Sequence, residues 1–150
     1  MGHETIVHGY IQGSTFTTSE YRKLQNSNIE VIGKLPTKDE YPFLSKSMFS
    51  IPGQIYDEGT YRSQVIHFGG SIKGLEFGDE KVWIEKMETL LKKLYWFSAV
   101  AYIETEMDGE YKYSWLAENV IPNSYSSENP RTTNLWKREI KHNGKIIESI

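Results

Sequence analysis

Val100-Ala-Tyr-Ile-Glu-Thr-Glu-Met-Asp108-Gly109-Glu-Tyr-Lys-Tyr-Ser-Trp-Leu-Ala117 reads as two β-prone runs joined by a turn pair. Asp-Gly in this setting predicts a β-hairpin, because a type I′ turn needs two residues that tolerate positive φ. A two-residue turn pairs Met107 with Glu110, Glu106 with Tyr111, and so on outward, and paired residues share a face. That register puts Ala101, Ile103, Thr105 and Met107 on one face with Glu110, Lys112, Ser114 and Leu116. The other face then carries Val100, Tyr102, Glu104 and Glu106 with Tyr111, Tyr113, Trp115 and Ala117. The small side chains of Ala99, Ala101 and Ile103 suit a helix-covered side, so the aromatic and acidic set is expected on the opposite, open side.

Working outward, Thr5–Gln12 alternates and predicts a first strand, with Ile6, His8, Tyr10 and Gln12 on one face and Val7, Gly9 and Ile11 on the other. Thr17-Thr-Ser-Glu20 fits a capping box, and Tyr21, Leu24, Val31, Ile32 and Leu35 form a helical stripe closed by Pro36. Asn26, Asn28 and Gly33 weaken that helix. Lys46–Ile51 reads as a short strand. Tyr61–Ile72 reads as a longer one, with Ile66, Phe68 and Ile72 on one face, Tyr61, Val65 and His67 on the other, and Gly69-Gly70 marking a bulge. Asp79 is placed to N-cap a second helix whose stripe is Trp83, Ile84, Met87, Leu90, Leu91 and Leu94. Its outer face carries Glu85, Lys86, Glu88, Lys92 and Lys93, with Glu88–Lys92 as an i,i+4 pair. Near the C-terminus Asn143-Gly144 signals another hairpin, the competing reading being a short helix over Thr133–His142 closed by Gly144.

The order strand, helix, strand, strand, helix, strand resembles the ferredoxin-like βαββαβ arrangement. The expected fold is therefore α+β: a two-layer sandwich over residues 1–150, an antiparallel sheet with two helices on one face, and a C-terminal hairpin extension. The resemblance is one of element order and carries no function.

Composition narrows the function classes. The 150 residues contain no cysteine, which excludes disulfides, thiolate metal sites and Cys nucleophiles. No apolar run reaches membrane-spanning length, and Met-Gly-His-Glu lacks the basic and apolar regions of a secretory signal, so a cytoplasmic protein is expected. The net charge of −3 hides an asymmetry, −5 over residues 76–118 against +3 over residues 131–150. A modest negative balance argues against non-specific nucleic-acid binding, which depends on Lys and Arg displacing counterions. Aromatics on a ferredoxin-like sheet invite comparison with base-stacking RNA modules, but here they alternate with Glu104 and Glu106, which repel phosphate.

Gly-x-Ser-x-Gly, Gly-x-Gly-x-x-Gly and the Walker pattern are absent, and Gly69-Gly70-Ser71-Ile72-Lys73-Gly74 lacks their spacing. His8, His67 and Glu104 are suitable ligand types for zinc or iron, yet their spacing matches no local metal motif, and no cofactor is expected. The reading is therefore a non-catalytic protein-binding domain. Its face comprises Tyr102, Glu104, Glu106, Tyr111, Tyr113 and Trp115, with His8, Tyr10, His67 and Tyr61 from neighbouring strands. Tyr and Trp are enriched in binding hot spots, and carboxylates beside them favour a basic partner, as in an inhibitor or immunity-type protein. Three alternatives stand beside it. One is a small-ligand or enzyme pocket around His8, His67, Tyr102 and Glu104, and another is a homodimer through the same face. The third is burial of that face beneath the C-terminal segment bearing Leu135, Trp136, Ile140, Ile146 and Ile147.

Overall fold

A computed structural model describes residues 3–13, 19–51, 64–75, 77–118 and 135–150. The described residues form an α+β fold with two α-helices and a seven-stranded antiparallel sheet. The strands are β1 (Glu4–Gln12), β2 (Phe49–Ser50), β3 (Val65–Lys73), β4 (Ser98–Thr105), β5 (Glu110–Ala117), β6 (Trp136–His142) and β7 (Lys145–Ser149). Helix α1 spans Ser19–Gly33 and α2 spans Glu80–Leu91. The sheet order is β2-β3-β1-β4-β5-β6-β7. The capping box at residues 17–20 and Tyr61 lie wholly or partly outside the described residues.

One sheet face is the core. Val7 and Ile11 of β1, Ile66, Phe68 and Ile72 of β3, and Ala99, Ala101 and Ile103 of β4 are all buried. The α2 stripe of Trp83, Ile84, Met87, Leu90 and Leu91 joins the same cluster, as does Ile32 of α1. Helix α1 also buries Asn28, whose side chain donates to the Tyr95 carbonyl (2.8 Å) and the Gln64 side chain (3.0 Å) and accepts from the Tyr95 N–H (2.8 Å). A residue that weakens the helix intrinsically is thus retained because it satisfies buried backbone groups elsewhere.

The hairpin register differs from expectation. Ile103 pairs with Tyr111, Ala101 with Tyr113 and Ala99 with Trp115. The connection is the five residues 105–109, closed by Thr105 N–H to the Gly109 carbonyl at 3.0 Å. Of the turn pair only Gly109 has positive φ, at +80°, so a type I′ turn is not formed. Thr105 instead organises the loop: its hydroxyl donates to the Gly109 carbonyl (2.7 Å) and accepts from the Asp108 N–H (2.9 Å). The offset from the two-residue register is odd, so every β5 side chain changes face. Tyr111, Tyr113 and Trp115 enter the core, at 8%, 2% and 1% exposure. Burial of a large apolar side chain contributes about 1.5–3 kcal/mol, so three rings outweigh the preference of two turn residues. Asn143-Gly144, with φ of 50° and 82°, forms the two-residue hairpin that Asp108-Gly109 does not.

Other expectations are corrected by contacts invisible in one segment. The β1–β3 register runs unbroken through Gly69 and Gly70; Gly70 lies under Met48, whose Cε would stand 3.2 Å from an added Cβ. The Lys46–Ile51 strand shrinks to Phe49–Ser50 behind a 3₁₀ turn at Lys46–Met48. Asp79 occupies the N-cap position of α2 without a side-chain cap bond, and Glu80 accepts the Gly78 N–H instead. Glu88 does not face outward to Lys92. It accepts the Trp115 indole N–H at 2.8 Å and binds Arg138 at 2.9 and 3.0 Å, tying α2 to β5 and β6. The β6–β7 hairpin extends the sheet beside β5 rather than folding over its open face. No helix among the described residues is long and apolar enough to cross a membrane.

Candidate binding surface

The face opposite the core is set by strand alternation. His8 pairs with Tyr102, Ile6 with Glu104, Tyr10 with His67, and Tyr102 in turn with Lys112. His8, Tyr10, His67, Tyr102 and Glu104 therefore stand together, and each is exposed or half-buried. The register brings Lys112, Ser114 and Leu116 to this face in place of the three β5 aromatics, the reverse of the arrangement expected from a two-residue turn. Ile6 and Leu116 are exposed here at 43% and 49%.

Tyr102 is the centre of the surface. The His8 imidazole stacks on its ring with centroids 4.9 Å apart and planes within 14°. The Lys112 ammonium lies 5.7 Å from the same ring centroid, within cation–π range. His8 Nε2 is 3.5 Å from Glu104 Oε2, an ion pair when the imidazole is protonated. These side chains order one another within the chain.

Glu106 sits at the sheet's edge, in the β4–β5 loop, where it accepts the Glu4 backbone N–H at 3.0 Å and contacts His3 Nδ1 at 3.2 Å. The Glu4 N–H, then His3, hold its carboxyl below the ordinary carboxylate range. Its acidity is thus partly spent within the protein. Tyr111, Tyr113 and Trp115 do not belong to this surface. Among the described residues no group of three or more His, Asp or Glu side chains is arranged to hold a metal ion.

Comparison with protein-family models, with curated proteins and with solved structures finds no match to this chain. The functional reading therefore rests on its own geometry.

Proposed function

We propose that this chain is a non-catalytic protein-binding domain that docks on a protein partner through the open face of β1, β3, β4 and β5. The observation that carries the reading is the preorganised Tyr102 group, a ring held between His8 and Lys112 with Glu104 beside it, on a face that also exposes Ile6, Tyr10 and Leu116. A tyrosine already fixed by its neighbours loses little conformational freedom on docking, which favours affinity. Glu104 pairs with Glu110 across the β4–β5 ladder, Lys112 and Lys141 stand one position along on the same face, and Glu139 separates Lys141 from Lys137. The partner places a basic group against Glu104 and an acidic or neutral surface against the lysines. An inhibitor or immunity-type domain is the form of binding protein that this arrangement suits. We place the sheet order β2-β3-β1-β4 as a ferredoxin-like core, with β5, β6 and β7 as its extension.

The reading is tested with a photo-crosslinking amino acid at Tyr102 or at Leu116, and at Val82 on the outer face of α2 as control, in cells of the native host. Crosslinking to one protein from the sheet positions, lost with Glu104→Lys, is expected. Equal crosslinking from Val82, or a covalent homodimer alone, contradicts it. A ligand pocket around His8, His67, Tyr102 and Glu104 draws support from their shared face, but His8 and Glu104 side chains are 47% and 48% exposed, unlike a desolvated catalytic pair.

A further inference from the structure

On the core side of the sheet, a cavity of about 560 Å³ opens between the start of α2, the β4–β5 loop, β5 and the β6–β7 hairpin. Its size is that of a small-molecule site. Two of its lining side chains are polar and almost fully buried. Glu80 is 2% exposed, and its only hydrogen bond among the described residues is from the Gly78 N–H, at 2.8 Å to Oε2. Tyr113 is 2% exposed, and its hydroxyl has no hydrogen-bond partner among the described residues. A buried hydroxyl left without a partner is costly, so one kept beside a buried carboxylate and an open cavity points to a ligand that would satisfy it. Burial, and next the negative charge of Glu80, raise the Tyr113 phenol far above its ordinary range, so it remains a neutral hydroxyl.

The remaining walls define the chemistry. Asp108 is held by the Tyr111 hydroxyl at 2.5 Å and the Phe77 N–H at 3.1 Å, both on Oδ2, while Oδ1 stands 3.8 Å from His142 Nε2. Glu148 also lines the space but is neutralised by Arg138 at 2.7 Å. Lys81 is the one cation of the lining, and its side chain is solvent-exposed. The start of a helix ordinarily attracts an anion, but here the Glu80 carboxylate already occupies the Gly78 N–H and repels one. Tyr111 and Tyr113 add aromatic rings, and Ile140 and Ile147 add apolar surface. At the mouth Phe77 adopts φ of 53°, a conformation unusual for a bulky residue, and is 72% exposed. Asp108 pins that strained turn, so an aromatic ring is presented at the rim of a carboxylate-lined cavity.

We infer that this cavity binds an organic cation, an alkylammonium or guanidinium group, between the Glu80 carboxylate, the Tyr113 hydroxyl and the aromatic walls. Glu80 supplies charge, the Tyr113 oxygen accepts a hydrogen bond from the cation, and the exposed Phe77 ring at the mouth adds cation–π attraction. The site is separate from the open sheet face and does not depend on the function proposed for it.

The test is an amide NMR titration of the full chain with n-butylammonium and n-propylguanidinium, against butanol and butyrate at matched ionic strength. Saturable shifts at Gly78, Glu80 and Tyr113 with either cation are expected, with Kd of about 1 mM or tighter. Glu80→Gln and Tyr113→Phe, each retaining native peak dispersion, weaken binding by about tenfold. A blocked lysine dipeptide binding more tightly than the free amine assigns the cation to a protein side chain; the reverse order assigns it to a small amine. Absence of saturation, equal response to butanol or butyrate, or unchanged affinity in both variants overturns the inference. Tyr113→Phe is also expected to leave the free protein's Tm unchanged or higher. A marked fall would mean that the hydroxyl is satisfied inside the fold, and would overturn it as well.

Discussion

Ile103 stands directly opposite Tyr111 across the β4–β5 ladder. From that pairing follow the burial of Tyr113 and Trp115 and the exposure of Lys112 and Ser114. It also separates Tyr102 and Glu104 from the aromatics nearest to them in the hairpin. The pairing is maintained by a five-residue loop whose internal bonds converge on Thr105.

Thr105→Val keeps the side-chain shape and β propensity while removing both hydroxyl bonds. It is expected to destabilise the protein by about 1–2 kcal/mol in urea denaturation, with Thr105→Ser closer to wild type. Equal stability of the valine variant would show that the loop does not depend on those bonds.

Glu88 is expected to matter more than an ordinary helix-surface glutamate. Glu88→Ala leaves the buried Trp115 N–H without its acceptor and Arg138 with Glu148 alone. A loss of about 2–3 kcal/mol is expected, reduced in Glu88→Gln, which still accepts from the indole. Lys92→Ala, at the position expected from i,i+4 spacing, should change stability by less than about 0.5 kcal/mol.

Asp39 links stability to pH. It accepts the Leu44 N–H at 2.9 Å and binds Lys86 at 2.9 Å, and these contacts, the Leu44 N–H foremost, hold its carboxyl below the ordinary range. A depressed folded-state pKa stabilises above the unfolded value and is lost as pH falls through the folded one, hence below about pH 4. The stability difference between wild type and Asp39→Asn should therefore be constant near neutrality and shrink on acidification through that range. Urea midpoints across pH measure it, and a difference independent of pH would contradict the assignment.

Much of the fold was legible because it repeats locally. The α2 stripe, the alternation of β1 and β3, the Asn143-Gly144 turn and the grouping of His8, Tyr10, His67, Tyr102 and Glu104 follow from periods of 3.6 and 2. What was not legible depends on competition between distant parts. Asp108-Gly109 is a sound turn signal, but its register is decided by which β5 face best fills the space beneath α2. The alternation Tyr111, Tyr113, Trp115 against Lys112, Ser114, Leu116 held that signal: three rings on one face and a lysine and a serine on the other mark the first as core. That pattern fixes which β5 face is core, while the exact pairing depends on the five-residue loop. Glu88 and Asn28 were unreadable for another reason, since each is satisfied by groups far away in sequence.

The register itself has a direct measurement. Thr105 and Gly109 form a hydrogen-bonded pair, so by alternation Tyr102 and Lys112 form a non-hydrogen-bonded pair, in which α-carbons approach to about 4.5 Å and α-protons give a strong cross-strand NOE. A strong α-proton NOE between Tyr102 and Lys112, with another between Glu104 and Glu110, is the expected result. An α-proton NOE between Tyr102 and Trp115 would restore the two-residue turn, return Tyr111, Tyr113 and Trp115 to the open face, and contradict both the assigned surface and the cavity behind it.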